Sequence, residues 1–282
     1  MADILIVGSI AWDEVVRLES ELRRGAHNAG AWLGRRVGGG AANTAMALAR
    51  AGDRARVISG VGPDSGGENL VEELTGLGVD VSAVRRDGGE TTRAIILLEA
   101  DGERTVINLA RARVPLPPDL DERPADACYV RSADPVLSDV LRRRARTGLV
   151  VSHIPPVTEG FRPAQVLVGS ASDLDDGFLG DPFGGGRRVA GDFLEWVVVT
   201  RGAAGAAAYG PQGTLELAAP AVEAVDTTGA GDIFAAGLVH ALASGAPMEQ
   251  ALGTAVEWGS ASVTFEGTVP PEGFPGQTDG GQ

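Results

Sequence analysis

Residues 226–232 read Asp-Thr-Thr-Gly-Ala-Gly-Asp, and the apolar stretch Ile233 to Ala243 follows them directly. The apolar stretch has the length and composition of a buried helix, so the seven residues form its entrance. Glycines at 229 and 231 let the backbone approach an anion without a Cβ in the way, and the first N–H groups of the helix would then point at that anion. The motif therefore predicts a helix start that holds a phosphate group without a lysine.

Asp232 ends this motif at the start of the predicted helix. Its carboxylate would face a phosphoryl group in transfer and could accept the proton of an attacking hydroxyl, which is the position of a general base. The alternative is structural, with Gly229 and Gly231 forming only a tight turn and Asp232 only capping the helix. The motif by itself leaves both interpretations open.

A second glycine cluster, residues 38–40, is followed by Ala41, Ala42 and Asn43. It opens a predicted helix over residues 43–52, which Gly52 would end. Asn43 is placed to hydrogen-bond a hydroxylated ligand. Three glycines before a helix also serve close packing or a hinge, so this cluster is a weak signal when taken alone.

Strands and helices alternate along most of the chain. The buried run Ile4 to Val7 predicts a first strand, and Asp13 lies just past its carboxyl end. A strand at Arg56 to Gly60, a helix at Gly67 to Leu77 and a strand at Trp196 to Thr200 continue the pattern. This order is typical of an α/β fold with a parallel sheet.

Two stretches interrupt the alternation, residues 14–37 and residues 92–109, the second with a turn at Asp101-Gly102. We expect them to form a small separate sheet that projects from the carboxyl edge of the main sheet and covers a cleft as a lid. Residues 1–269 would form one domain with this lid. Residues 270–282 are rich in Pro and Gly and are expected to be a loose tail.

Composition excludes several classes of partner. The formal net charge is −14 and all 24 basic residues are arginines, which argues against nucleic acid and against anionic membranes as partners. A nucleotide site would then need backbone N–H groups, helix dipoles and Mg²⁺. The single cysteine, Cys128, excludes an internal disulfide, and its apolar neighbours predict core packing. The N-terminal run is too short for a signal peptide or a membrane span, so we expect a cytoplasmic protein.

These residues resemble the PfkB, or ribokinase-like, family of carbohydrate kinases over nearly the whole chain. The motifs that agree in order are Gly8-Ser9 with Asp13, the glycine cluster ending at Asn43, Val61-Gly62 with Asp64 and Gly67, Gly78-Val79-Asp80, and residues 226–232. The resemblance implies a three-layer α/β/α sandwich with a mostly parallel central sheet and a small β-sheet lid. It also implies ATP-dependent phosphorylation of a primary hydroxyl on a small sugar or sugar derivative.

The resemblance assigns roles to individual residues. The substrate site would consist of Asp13, Gly38, Gly39 and Asn43. The catalytic group would consist of Asp232 as the base and Gly229, Ala230 and Gly231 as the anion hole. The nucleotide site would include Ser170, Thr200, Arg201, Gly202 and Gly205, with Mg²⁺ bridging the phosphates. Some family members bind a monovalent cation such as K⁺ beside the anion hole, and Asp226 and Thr228 match the positions that begin that site.

The chain departs from the family pattern in two places. The family often carries Asn-x-x-Glu before the nucleotide site, whereas this chain has Ser170-Ala171-Ser172-Asp173, in which Asp173 would supply the Mg²⁺ carboxylate; an exposed acidic loop is the alternative. A glutamate near the sugar in ribokinase is matched here by the Ala133-Asp134 region. This leaves ribose specificity and the strength of Mg²⁺ binding open.

Further residues are candidates for the lid and the surface. The lid candidates for sugar or base contacts are Trp12, His27, Asn28 and Trp32; for Trp32, lid packing or a dimer contact is the alternative. Pairing of lids would make the protein a homodimer. The arginines at 142–144 and 146 are expected to form the solvated face of a helix.

Three other functions remain to be weighed. A nucleoside kinase would keep the same base and anion hole but accept a ribose bearing a base. A dinucleotide-binding oxidoreductase fits poorly, because Gly8-Ser9-Ile10 lacks the GxGxxG spacing and the strongest motif lies near the C-terminus. A non-catalytic ligand sensor is compatible with the altered loop at Ser170–Asp173, but the presence of Asp232 weighs against it.

Overall fold

The computed structural model describes residues 1–99, 104–154 and 161–275. The strands are β1 (Asp3–Gly8), β2 (Ala11–Leu18), β3 (Gly30–Gly38), β4 (Arg54–Gly60), β5 (Asp80–Arg85), β6 (Arg93–Leu98), β7 (Arg104–Ala110), β8 (Ala127–Arg131), β9 (Leu149–His153), β10 (Val166–Ser170), β11 (Trp196–Thr200), β12 (Ala206–Gly210) and β13 (Gly213–Leu217). The helices are α1 (Gly40–Arg50), α2 (Ser65–Gly76), α3 (Leu137–Arg144), α4 (Asp176–Gly180), α5 (Pro182–Ala190), α6 (Ala230–Ala243) and α7 (Met248–Ser262).

The larger sheet has nine strands in the order β13-β12-β11-β10-β9-β8-β1-β4-β5. The strands from β11 to β5 are parallel to one another, and only β12 and β13 pair antiparallel. The predicted parallel sheet is therefore confirmed, with an antiparallel hairpin at one edge.

Helices cover both faces of this sheet. Successive side chains of a strand point to opposite faces, and β1 divides accordingly. Ile4 and Ile6 pack into one core with α1, α2, α6 and α7. Leu5 and Val7 pack into a second core with α3, α4 and α5. The two cores on either side of one sheet confirm the three-layer sandwich that the family resemblance implied.

The lid is a four-stranded sheet in the order β3-β2-β6-β7. Only Ser9 and Ile10 separate β1 from β2, so Asp13 lies inside a lid strand rather than in a turn after β1. The first pair of lid strands thus begins earlier and ends later than residues 14–37, whereas the second pair begins at Arg93 and ends at Ala110, each one residue after the predicted limits of 92 and 109. The expected turn at Asp101-Gly102 lies outside the described residues.

Some element boundaries and side chains differ from the expectations. Helix α1 begins at Gly40, three residues before the predicted start. Helix α2 begins at Ser65 because the Asp64 carboxylate accepts a hydrogen bond from the Gly67 N–H at 2.8 Å and caps it. In the arginine run, Arg144 is buried and donates to the carbonyls of Arg123 and Ala125, so the solvated face consists of the other three arginines. An arginine can be buried this way because carbonyl oxygens satisfy its donors.

The remaining expectations concern the core and the chain end. Cys128 is fully buried, so the core packing predicted from its apolar neighbours is confirmed. Burial raises the pKa of its thiol to about 11. Beyond residue 269 the chain still packs as far as Phe274, which is buried and lies edge-on to Trp258. Residues 276–282 of the expected tail lie outside the described residues. Within the described ranges, no helix combines the length and the apolar character that crossing a bilayer requires.

Candidate active site

A cavity of about 320 Å³ lies between the underside of the lid and the starts of helices α1 and α6. Its core side is formed by Ser9, Gly39, Gly40, Asn43, Arg131, Thr228, Gly229 and Asp232. Its lid side is formed by Ala11, Asp13, Thr92, Ala94, Ile96, Val106, Asn108 and Arg111. The structure therefore brings Asp13, Gly39, Asn43, Thr228, Gly229 and Asp232, all predicted from the sequence, to one cavity.

The Asp232 carboxylate is held by two side chains from other elements. Its Oδ2 accepts a hydrogen bond from Asn43 Nδ2 at 2.9 Å, and its Oδ1 accepts one from Arg131 Nε at 3.1 Å. The helix start is Gly229, which carries no side chain, and no side chain caps α6. The interpretation of Asp232 as a simple helix cap is therefore wrong. Its carboxylate is oriented toward the cavity instead.

The fold requires glycine at only one of the two glycine positions of the 226–232 motif. Gly229 has φ +76°, a left-handed conformation that favours glycine, and a Cβ there would press on Thr268 and Asn43 at 3.2–3.3 Å. Gly231 has no positive φ, and a Cβ there would meet no protein atom within 4 Å. Packing thus explains Gly229 but not Gly231. A glycine without a structural reason at a helix start is consistent with close approach of an anion.

The glycine cluster at 38–40 makes room for charged side chains. A Cβ on Gly38 would lie 1.9 Å from Asp13 Oδ2, and a Cβ on Gly40 would lie 2.7 Å from Arg131 Cγ and 3.1 Å from Asp232 Oδ1. The first two distances would force the Asp13 and Arg131 side chains to move, and the third is tighter than most Cβ contacts. The cluster is therefore needed for the placement of the carboxylates and the arginine, and not only for a hinge.

Asp13 is a partly buried carboxyl group in β2. Burial raises its pKa to about 6; the charge of Arg36 opposes this shift and the charge of Asp232 adds to it. No hydrogen-bond donor of the described chain reaches its carboxylate. A carboxylate in this state can accept hydrogen bonds from the hydroxyls of a ligand.

Asn43 holds one carboxylate of the cavity, that of Asp232. Its amide nitrogen is committed to Asp232, whereas its Oδ1 is buried and has no hydrogen-bond partner within the described ranges. Buried polar atoms are normally satisfied, so an unpaired oxygen that lines a cavity favours a ligand with a hydroxyl donor.

Sequence reasoning missed Arg131, Arg111 and His153. Arg131 ends β8, and although burial lowers the pKa of its guanidinium, the neighbouring Asp232 charge raises it above the usual value. Burial and the positive charge of Arg131 lower the pKa of His153 to about 4, which leaves this imidazole neutral near pH 7. The signal for Arg131 and His153 was their position at the carboxyl ends of parallel strands, where ligands bind in open α/β sheets. Arg111 follows a lid strand and carried no comparable signal.

The predicted nucleotide residues lie at the same carboxyl edge but outside this cavity. Ser170 ends β10 and Thr200 ends β11, which are neighbours in the sheet. Gly202 begins a short 3₁₀ turn that Gly205 ends. The Arg201 guanidinium donates to the Tyr209 hydroxyl at 2.7 Å and to Glu216 at 3.2 Å, so it is engaged with the β12–β13 hairpin.

Asp173 lies in the short turn after Ser170, where the Ser170 hydroxyl is 2.8 Å from the Ser172 hydroxyl. Its charge contributes to the raised pKa of Arg131, so the loop is electrostatically coupled to the cavity. Across the described residues, no group of three or more His, Cys, Asp and Glu side chains is arranged to hold a metal ion.

Asp226 lies behind the helix start. Its Oδ1 accepts the Thr228 N–H at 2.8 Å, and its Oδ2 accepts the Gly267 N–H and the Arg36 guanidinium, both at 3.0 Å. Burial tends to raise its pKa, but hydrogen bonds from Thr228 and Gly267 and the charge of Arg36 hold the pKa of this carboxyl below its usual range.

The aromatic lid candidates do not line the cavity. Trp12 is buried, its indole N–H donates to the Gly66 carbonyl at 2.8 Å, and Arg35 covers its ring, so the idea that Trp12 stacks on a ligand is wrong. The reason is the alternation of β2, which points Trp12 away from the face that Asp13 occupies. Trp32 is 68% exposed on β3, and Asn28 bonds to the backbone of its own loop. His27 lies in the same exposed loop.

The sequence matches the family described as pfkB family carbohydrate kinase over residues 1–149 and 187–272. It is 32% identical over 282 residues to an ATP-dependent ribose-1-phosphate kinase from Halopiger xanaduensis, covering 95% of this chain and 94% of that protein. It is 29% identical over 273 residues to an aminoimidazole riboside kinase from Salmonella typhimurium, covering 85% and 86%.

Solved structures of similar fold include a ribokinase from Cryptococcus neoformans in complex with ADP. The TM-score is 0.79 at 25% identity, covering 96% of this chain and 98% of that one. A ribokinase from Arabidopsis thaliana complexed with ribose and ATP has a TM-score of 0.77 at 21% identity, covering 96% of both chains.

Proposed function

The chain belongs to the pfkB family of carbohydrate kinases and is an ATP-dependent carbohydrate kinase, and from this premise we propose that Asp232 is its general base. The observation that carries the proposal is the Asp232 carboxylate in the first turn of α6, held at the cavity by Asn43 and Arg131. Each carboxylate oxygen can accept two hydrogen bonds and here accepts one from a side chain, so both can still accept the proton of an acceptor hydroxyl. The start of α6 with Gly231 would stabilise the negative charge of the transferred phosphoryl group.

Mg²⁺ fits this arrangement as an ion that arrives with the nucleotide. It commonly binds through one or two carboxylates, the phosphates of its substrate and several waters. The chain offers such a carboxylate in Asp173, in the short turn after Ser170, and the residues that the structure describes form no closed cage. The ion would neutralise charge on the ATP phosphates, while the protein groups orient the acceptor and hold the proton.

We further propose that the acceptor is a small sugar with a negative charge of its own, such as ribose 1-phosphate. Two arginines line the cavity, Arg131 on the core side and Arg111 on the lid side. Arg111 is exposed and has no ion-pair partner in the described part of the chain. A guanidinium is well suited to bind a phosphate group through two parallel hydrogen bonds. The Halopiger relative, which acts on ribose 1-phosphate by its name, supports the same class.

A nucleoside acceptor is the second candidate. The underside of the lid presents Ala94, Ile96 and Val106 to the cavity, an apolar surface that could contact a heterocyclic base. The Salmonella relative is named for a riboside substrate. In both candidates Asp13 and Asn43 would hold the ribose hydroxyls, and Asp232 would act on the primary hydroxyl.

An acceptor panel distinguishes these candidates. We expect kcat/KM for ribose 1-phosphate to exceed that for ribose and for nucleosides by about tenfold or more, since a hydrogen bond to a charged group contributes roughly 1.5–3 kcal/mol. The measurement is coupled ADP release. Arg111→Gln should reduce the preference for the phosphorylated sugar, whereas Arg113→Gln, two residues on and outside the cavity lining, should not. Equal or better use of nucleosides would favour the second candidate.

The role of Asp232 has its own test. Asp232→Asn should lower kcat about 10²- to 10⁴-fold, because a general base contributes that much, while the affinity for an ATP analogue and for the acceptor is kept. Turnover is measured by ADP release and affinity by calorimetry. Wild-type turnover in the variant would show that another group takes the proton.

We also propose that the lid pairs two copies of the chain. β3 is an edge strand of the lid sheet, and it exposes Trp32 and Leu33 to solvent. Unpaired edge strands with exposed apolar residues favour pairing with another chain.

A further inference from the structure

The Asp226 carboxylate is almost fully occupied by donors from the protein. A carboxylate offers about four lone-pair positions. Three are used here, one by the Thr228 N–H, one by the Gly267 N–H and one by Arg36 Nη1. Within the described part of the chain these donors leave one lone pair of Oδ1, and the nearest charge is the positive charge of Arg36.

The Arg36–Asp226 pair is shielded from solvent. The two side chains are 20% and 8% exposed, and Nη1 and Oδ2 are 3.0 Å apart. The guanidinium lies against Gly267, where an added Cβ would come within 3.1 Å of Nη1. The backbone around the pair is therefore shaped to accept an arginine at this position.

The pair links three elements next to the candidate active site. Arg36 belongs to lid strand β3, Asp226 to the loop that leads into α6, and Gly267 to the loop after α7. Thr268 Oγ1 also donates to the Val37 carbonyl at 2.8 Å, beside Arg36. A positive charge at this point both neutralises Asp226 and fixes the loop that leads through Gly229 into α6.

The residues present do not fit a monovalent cation at Asp226. Such a cation would have to share one carboxylate with a guanidinium that already makes a close contact, and the two like charges would repel. We propose that the Arg36 guanidinium takes the place of this cation, so that phosphoryl transfer by this enzyme needs no K⁺. The proposal rests on the kinase activity but not on the identity of the acceptor.

The test compares salts at constant ionic strength. ADP release is measured in KCl, in NaCl and in tetramethylammonium chloride, whose cation is too large and apolar to be coordinated. Wild-type kcat should change less than about twofold among them, apart from general screening. A loss of more than about tenfold without K⁺ would overturn the proposal.

Removal of the Arg36 charge should make turnover depend on K⁺, which we expect not to be the case in the wild type. In tetramethylammonium chloride, kcat of Arg36→Gln should be roughly 5- to 150-fold below that of the wild type, the usual range for coupling between two sites. In KCl, kcat of this variant should recover. The kcat of Arg36→Lys, which keeps the positive charge, should depend less on K⁺ than that of Arg36→Gln. Arg17→Gln removes an exposed arginine from the adjacent lid strand and should behave as the wild type. An Arg36→Gln variant as active as the wild type in every salt contradicts the proposal, and so does an equal loss in Arg17→Gln.

A binding measurement keeps the test independent of turnover. The Kd of a non-hydrolysable ATP analogue is measured without acceptor in KCl and in tetramethylammonium chloride. If Arg36→Gln is inactive in both salts, tighter binding in KCl by this variant alone supports the proposal, and equal binding in both salts overturns it. Because no acceptor is present, this result does not depend on the proposed substrate.

Discussion

Asp13 is a carboxyl group whose surroundings disfavour its charge. Burial and the nearby Asp232 outweigh Arg36 and raise its pKa from 3.8 to about 6. A carboxyl with a raised pKa holds its proton more tightly in the folded than in the unfolded chain, so its ionisation destabilises the fold. Stability from this group is complete below pH 3.8 and is lost as the pH rises through about 6. Active sites often accept such a loss of stability for function.

We therefore expect Asp13→Asn to be more stable than the wild type at pH 8, by about 1–3 kcal/mol, because a pKa shift of one unit corresponds to about 1.4 kcal/mol. The difference should shrink as the pH falls toward 4. Urea unfolding at several pH values measures it. Asp139→Asn, an exposed aspartate on α3, serves as the control and should show no such trend. A variant less stable than the wild type at pH 8 would mean that Asp13 is stabilised by contacts other than those described.

At the scale of elements, the start of α6 combines a turn and a binding surface. Gly229 provides the left-handed turn, and Gly231 sits in the first turn of the helix with open space where a Cβ would project. The helix itself is buried against α1 and α7, so its start is held rigidly. Rigid presentation is what an anion hole requires, because its donors must already point at the developing charge.

Two alanine substitutions separate these roles. Gly229→Ala should lower stability by about 1–2 kcal/mol, since a left-handed conformation is strained with a Cβ. Gly231→Ala should leave stability unchanged or raise it by about 0.5–1 kcal/mol, because alanine favours helix, while kcat/KM for ATP falls by about tenfold or more. Thermal unfolding and ADP release measure the two effects. Full activity in Gly231→Ala would argue against close approach of a phosphate.

At the scale of the whole molecule, the lid is fixed to the core at several points. Trp12 is buried between them and bonds to Gly66 at the start of α2. Thr91, just before β6, donates to the Asp64 carboxylate that caps the same helix. The lid is held on the core by these contacts, but Trp32 and Leu33 on its edge strand β3 remain exposed. This exposed edge is the surface proposed for pairing.

Sedimentation velocity tests the pairing directly. We expect the wild type to sediment as a dimer at micromolar concentration, and Trp32→Glu to shift it toward the monomer, because a charge at the centre of an apolar contact is not solvated there. Val136→Glu changes an exposed valine just before α3, outside the lid sheet, and should leave the dimer intact. A monomeric wild type, or dissociation of both variants alike, would contradict pairing through the lid.

Much of the fold could be read from local patterns. The run Ile4 to Val7, the strand at Trp196 to Thr200 and the two interrupting stretches gave the parallel sheet and the lid, because strand burial and turn chemistry depend on neighbouring residues. The residues at which helices begin were predicted less accurately. Helix α1 begins at Gly40 rather than residue 43, since helix termini respond to packing as well as to sequence.

The candidate site was only partly predictable. Motif spacing indicated Asp232 and Asn43, the family resemblance added Asp13, and the structure brings all three to one cavity. Arg131 was missed because its contact with Asp232 joins residues 101 positions apart. Trp12 was a candidate for stacking on the ligand, but β2 begins at Ala11, and the alternation of side chains along a strand places Trp12 on the face opposite Asp13.

By itself, the sequence determined the family, the alternation of strands and helices, and the helix start with its glycines and terminal carboxylate, since each depends on residues close together in the chain. Only the tertiary structure decided that Arg131 holds Asp232 and that Arg36 neutralises Asp226, because those partners lie 101 and 190 residues apart. Every arginine in the sequence carries the same charge, so the charge alone does not identify its partner. Which carboxylate each one meets depends on how the lid packs on the core.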